Sequence, residues 1–253
     1  MTPIVFVHGN PDSDRVWDLL RAELSGVETV ALQMPGFGCP LPSEGFDCTR
    51  WAYRDWLAGE LEALGEPAHV VAHDLGSAVL HGVLLERPEL VASWALTGIC
   101  DADFFWHPQA RIWQTSRLGE ESRDAWLSLS DDQKLDLLRA NGVPDATAPG
   151  IVEKLDRRMC DALIALHRSI TFFGDWTLTA EHDLPPGLVL TGDGDQFQDV
   201  SFAERCAQRT GARLHVFEDT AHWWQVERPK DAASTLRAFW ADLPTGAAAV
   251  SAG

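Results

Sequence analysis

Hydrophobic residues follow two rhythms along this chain. Short apolar runs cover residues 4–7, 27–32, 69–72, 93–97, 187–190 and 213–217. The unbroken apolarity of a run such as Ile4-Val5-Phe6-Val7 predicts strands buried on both faces, as in a parallel sheet. Between them lie stretches with apolar residues three and four apart, at 16–20, 49–64, 77–86, 202–209 and 230–240, which predict amphipathic helices. Asp12 to Asp14 offer N-caps for the first helix, Pro35-Gly36-Phe37-Gly38 stops the second strand, and Pro88 ends the helix before the fourth.

The alternation breaks at about residue 101 and resumes at about 184. The intervening block shows only helical patterns, with a start at Ser130-Asp131-Asp132-Gln133 and an amphipathic run over 150–170. The predicted fold class is therefore α/β: a doubly wound, mostly parallel sheet of about six strands with an inserted all-helical cap. The core is expected over 1–100 and 184–242 and the cap over 101–183, above the strand ends where ligands bind. Residues 243–253 are low in complexity and read as a flexible tail.

Composition narrows the partners. The formal charge of −18 opposes nucleic acid and anionic membrane surfaces, and no apolar run reaches the about 20 residues of a membrane helix. Cys39, Cys48, Cys100, Cys160 and Cys206 are scattered without a C-x-x-C pair, which suggests reduced thiols. With no basic leader before Ile4, a cytoplasmic location is expected. No cofactor or metal is implied.

Candidate chemistry gathers where strands end. In Ala72-His73-Asp74-Leu75-Gly76, small residues stand two positions to either side of an acid between a strand and a helix. That is the steric pattern of a nucleophile elbow, with aspartate at its centre. His8-Gly9-Asn10-Pro11 follows the first strand, Asp193-Gly194-Asp195 the fifth, and Ala221-His222-Trp223 the sixth. An aspartate before a helix is also an ordinary N-cap, and a histidine in a loop is common; the conjunction of these segments argues against both plain readings.

The order nucleophile, acid, histidine resembles the α/β-hydrolase fold, and aspartate at the elbow resembles its Asp-nucleophile branch, the haloalkane dehalogenases and epoxide hydrolases. The resemblance implies Asp74 as nucleophile, His222 as the base that activates water, and Asp195 as the acid that orients it. Asp193, Asp199, Asp101 and Asp103 are the competing acids. It further implies backbone N–H groups of Asn10 and Leu75 as the oxyanion hole, with His8 and His73 as supporting neighbours. Hydrolases of this fold usually begin with two more strands, so a sheet shortened to about six parallel strands is expected, its edge covered by a helix or by a second subunit in a homodimer.

Chemically, a carboxylate nucleophile suits displacement at saturated carbon, because attack on an ester gives a labile anhydride. The expected partner is thus a small apolar organic substrate, with water. Asn10 matches the asparagine that dehalogenases use for halide, whereas Leu75 stands where they place tryptophan. Epoxide hydrolases use cap tyrosines, and the one tyrosine here, Tyr53, falls on a frame helix. The expected function is an aspartyl-ester hydrolase of dehalogenase type. The alternatives are an epoxide hydrolase with non-tyrosine donors, and a non-catalytic binder of small molecules or degenerate paralogue. Trp106, His107, Trp113, Gln114, His167, Trp176 and Trp223 are the candidate pocket residues and donors, with packing in the cap core as their plain alternative.

Overall fold

The computed structural model describes residues 2–97, 107–171 and 174–244. Six strands are formed: β1 (Ile4–Val7), β2 (Thr29–Leu32), β3 (Ala68–Ala72), β4 (Val91–Thr97), β5 (Gly187–Gly192) and β6 (Arg213–Phe217). Their order is β2-β1-β3-β4-β5-β6, and every neighbouring pair is parallel. The α/β class, the strand count and the parallel direction are those expected from the sequence.

Alternation of side chains divides the core in two. Val5, Val7, Val70, Ala72 and Val189 face one apolar cluster with Tyr53, Leu57, Leu80 and Val83 from the helices Arg50–Glu62 and Leu75–Glu86. Ile4, Phe6, Val71, Leu188 and Leu190 face the other, with Leu20 from the helix Asp18–Glu23 and Leu236 and Phe239 from Pro229–Ala241. Full burial on both faces explains why these strands read as continuous apolar runs.

From β1 the chain steps outward to β2, then returns past β1 to β3 and continues the other way. The reversal falls between β1 and β3, and ligands of open α/β sheets bind beyond the carboxyl ends of strands at such a point. Val7 and Ala72 are paired there, so Gly9 and Asp74 emerge side by side. A Cβ on Gly9 would land on the Asp74 side chain, and one on Gly76 would strike the carbonyls of Val7 and His8. Both positions need glycine because the elbow packs directly on the first loop.

Between β4 and β5 the described residues contain only helices: Pro108–Gln114, Leu118–Ser128, Asp131–Ala140, Ala148–Lys154 and Arg157–Ser169, then a short 3-10 turn at Gly174–Trp176. The Ser130 capping box forms as its sequence predicts. Residues 98–106, 172–173 and most of the expected tail, 245–253, lie outside the description.

Within the expected N-cap stretch Asp12 to Asp14, Ser13 caps the first helical turn: its Oγ accepts from Arg15 N, while Asp12 is drawn into the interior. One expectation needs correction. The cysteines are not all thiols: Cys39, Cys48 and Cys160 are free, but Cys206, buried on the helix Val200–Thr210, is disulfide-bonded. Pairing depends on distance in the fold, which sequence spacing does not reveal, and the cysteines therefore supply no argument for a reducing compartment. No helix among the described residues is long and apolar enough to cross a membrane.

Candidate active site

Asp74 occupies φ 51°, ψ −125°, a positive-φ conformation that costs a non-glycine residue free energy and holds its side chain above the sheet. It makes no side-chain cap to the helix Leu75–Glu86 that begins beside it, so the plain capping reading does not apply. Its Oδ2 instead accepts two hydrogen bonds from Asn10, from the backbone N–H at 2.9 Å and from Nδ2 at 3.0 Å. Neither bond goes to Oδ1. Burial pushes the Asp74 carboxyl up; the facing imidazoles of His222 and His73, with the N–H groups of Asn10 and Leu75, outweigh it and hold the group below the usual carboxylate range.

The other two members of the set come from the ends of β5 and β6. Asp195 Oδ2 accepts from His222 Nδ1 at 2.9 Å. Its Oδ1 accepts from the backbone N–H groups of Phe197 at 2.8 Å and Gln198 at 3.2 Å, which fixes the carboxylate plane. Burial raises Asp195, but the charge and hydrogen bond of His222 prevail and keep it ionised. His222 is driven down by burial, then lifted to about 9 by Asp195, Asp74 and Asp12. With Nδ1–H committed to Asp195, the imidazole presents Nε2 for proton transfer.

Two further histidines tie these loops together. His73 Nε2–H donates to the His222 carbonyl at 3.0 Å, tying the elbow to the histidine loop, and burial lowers His73 to about 4, so it is neutral. His8 Nε2 accepts from Met34 N at 3.0 Å while its Nδ1–H donates to the Gly9 carbonyl at 2.7 Å, bracing the loop that carries Asn10. Among the competing acids, Asp193 accepts from Thr220 N and Asp199 caps the next helix through Ser201 N. Asp101 and Asp103 fall outside the described residues.

A cavity of about 110 Å³ opens above Asp74, Leu75 and His222. The helical block supplies His107, Trp113, Trp126, Leu138 and His167 to its wall, and the frame supplies Asn10, Phe197, Gln198 and Trp223. His107 Nδ1 accepts from Ala110 N, which leaves Nε2 as the protonated nitrogen, and burial lowers the group, so His107 is a neutral donor. Two expected pocket residues lie elsewhere. Trp176 packs over Gly82 and stacks on Arg50 at 4.7 Å, and Gln114 is not among the lining residues; the period of a helix does not tell which face meets the sheet ends. Trp106 falls outside the described residues. Sequence reasoning missed Trp126, Phe197 and Gln198; for Gln198 the one available signal was its place three residues beyond Asp195.

The Alpha/beta hydrolase family matches residues 4–235. The chain belongs to that family. Within it, the chain is 24% identical over 264 residues to the 2-hydroxymuconate semialdehyde hydrolase of Pseudomonas sp. (strain CF600), spanning 97% of this chain and 89% of that one. Similar solved structures include the meta-cleavage product hydrolase from Pseudomonas fluorescens IP01, at TM-score 0.75 and 21% identity over 96% of this chain and 91% of that one. Epoxide Hydrolase A from Mycobacterium thermoresistibile has TM-score 0.73 and 18% identity over 96% and 92%. At these identities the likeness shows the shared hydrolase fold. The reaction has to be argued from the residues.

Proposed function

We propose that this protein is a hydrolase that opens a small carbon electrophile by attack of Asp74, through a covalent aspartyl ester, in the manner of a haloalkane dehalogenase. The observation that carries the reading is the carboxylate itself: an ionised Asp74 at the elbow, with Oδ2 held by Asn10 and Oδ1 left for attack.

The free site contains Asp74 and Asp195 as carboxylates and His222 as an imidazolium. Attack by Oδ1 at saturated carbon forms a C–O bond as the leaving group departs with its electron pair. Esterification removes the Asp74 charge, one of the influences that raise His222. His222 then loses its extra proton more readily and becomes the base that Asp195 orients. It takes a proton from water, hydroxide adds to the ester carbonyl, and the Asn10 N–H stabilises the oxyanion on Oδ2. Collapse returns the carboxylate, and the departing alkoxide takes the proton that His222 removed from water, so the alcohol is released.

Two observations favour halide over epoxide oxygen as the leaving group. Tyr53 is buried and donates to the Pro35 carbonyl at 2.6 Å, so it is committed away from the cavity. His107 is a neutral N–H donor, adequate for a halide that needs hydrogen bonds but no proton. Acyl transfer would require Asp74 to form a mixed anhydride, which disfavours it here.

The test is a single turnover in H₂18O with a short bromoalkane, followed by mass analysis of the Asp74 peptide. One 18O in the carboxylate and bromide in solution are expected, with the alkyl ester accumulating in His222→Gln. Turnover without label in Asp74 refutes the mechanism; label accompanied by diol from an epoxide, with no bromide release, moves the reading to epoxide opening.

A further inference from the structure

Resting on that reading, the cavity holds a polar group that the aspartyl-ester cycle does not use. Gln198 is 4% exposed and lines the cavity, yet neither Oε1 nor Nε2 has a hydrogen-bond partner. Buried amides are nearly always satisfied, and one left open beside a cavity marks a place where a ligand completes it. Asn10 Oδ1, also on the wall, is a second buried acceptor without a partner. The backbone is not loose at this point: Gln198 N donates to Asp195 Oδ1 at 3.2 Å, so the side chain projects from a loop pinned to the catalytic acid.

The rest of the wall limits the chemistry of the ligand. Among the described residues, no lysine or arginine lines the cavity, while two carboxylates sit at or beside its floor. A carboxylate-bearing substrate would meet Asp74, and the imidazolium of His222 is already engaged by Asp195 and Asp74. At about 110 Å³, and at roughly 10–15 Å³ per water-sized sphere, the space takes on the order of ten non-hydrogen atoms.

We infer that Gln198 is a specificity-determining residue that receives a neutral hydrogen-bonding group of the substrate, a hydroxyl or an amide, distinct from the carbon attacked by Asp74. An amide offers both a donor and an acceptor, and a hydroxyl satisfies both at once. The substrate class is therefore small, uncharged and bifunctional, in place of the purely apolar molecule expected from the sequence.

Matched probes test this. The specificity constant kcat/KM is measured for 3-bromo-1-propanol against 1-bromobutane, and for glycidol against 1,2-epoxybutane, each pair differing by a hydroxyl for a methyl. The wild type should favour the hydroxyl-bearing member of whichever pair it turns over by tenfold or more, and Gln198→Leu should bring that ratio close to one. A wild-type ratio near one, or a ratio unchanged in Gln198→Leu, overturns the proposal. A measurement on the unaltered protein is independent of turnover: the Gln198 side-chain NH₂ resonances should shift saturably on titration with unreactive 1-butanol. Resonances that do not move overturn the inference whatever Asp74 does. Inactivity on all four probes counts against the aspartyl-ester reading alone, and the titration then decides the role of Gln198.

Discussion

Asp12 accepts a hydrogen bond from the indole N–H of Trp223 at 3.0 Å, across 211 residues of sequence, and the contact is fully buried. It places a third carboxyl beneath the active site, where burial raises Asp12 to about 7. The second oxygen, Oδ1, has no partner, and His73 Nδ1 stands 4.0 Å from Oδ2 with none either.

Asp12 and His222 together make the fold sensitive to alkali. Each has a folded-state pKa above its ordinary value, 3.8 to about 7 for Asp12 and 6.5 to about 9 for His222. Their contributions are complete below the ordinary values and are lost as pH rises through the folded ones. For His222 the interval corresponds to on the order of 3 kcal/mol. Urea midpoints should fall between about pH 4 and about pH 10, and Asp12→Asn should remove the part of the fall between about pH 4 and pH 7. Midpoints independent of pH in the wild type refute this.

Replacing Asp195 by Asn separates orientation from charge. The lost carboxylate charge lets His222 titrate lower than about 9, and the amide no longer imposes the Nδ1–H tautomer. Turnover should fall about 10³–10⁴-fold, with the acid limb of the pH profile, set by His222 as base, displaced towards lower pH. A tenfold loss with an unmoved profile would assign the role of orienting acid elsewhere.

Gly9→Ala tests the close approach of the first loop to the elbow. The added methyl meets the Asp74 side chain, so the nucleophile or the loop has to shift. A displacement of about 1 Å costs on the order of 10²-fold in rate. Activity should drop by at least that factor while circular dichroism stays that of the native fold; full activity would show that the loop yields freely.

Trp176→Leu should affect stability and leave chemistry alone. Arg50 lies between Trp51 and Trp176, at 4.5 and 4.7 Å from their rings, and pairs with Asp175, with oxygen contacts of 3.0 and 2.6 Å. This cluster fastens the end of the helical block to the frame helix Arg50–Glu62. Truncation of the ring should cost about 2–4 kcal/mol in denaturant melts, with kcat/KM within twofold of wild type. A selective loss of kcat/KM would return Trp176 to the pocket.

What the sequence made legible follows from topology. Asn10, Asp74, Asp195 and His222 each follow a strand, and a parallel sheet brings all such positions to one edge, so their convergence was readable from strand boundaries alone. Asp12, Gln198 and Cys206 were not, because their significance comes from neighbours distant in sequence: an indole, a cavity and a second sulfur. Trp113 and Trp176 were indistinguishable as letters; one lines the cavity and the other packs on Gly82, a choice made by the orientation of short helices and turns.

The lack of lysine and arginine among the described residues of the cavity wall also bears on how the proposed catalytic cycle ends. The chain carries a net −18, and on the proposed cycle its site restores the Asp74 carboxylate as each turnover closes. An anionic product formed there is expelled by the same field that excludes anions from entry. With Asp74 restored, the imidazolium of His222 is engaged by Asp195 and Asp74, and His107 offers a neutral N–H, so the described wall holds an anion only weakly. Exit is thereby favoured over rebinding, and added halide salts should inhibit weakly. A neutral alcohol feels no such push, which makes its departure the slower of the two releases.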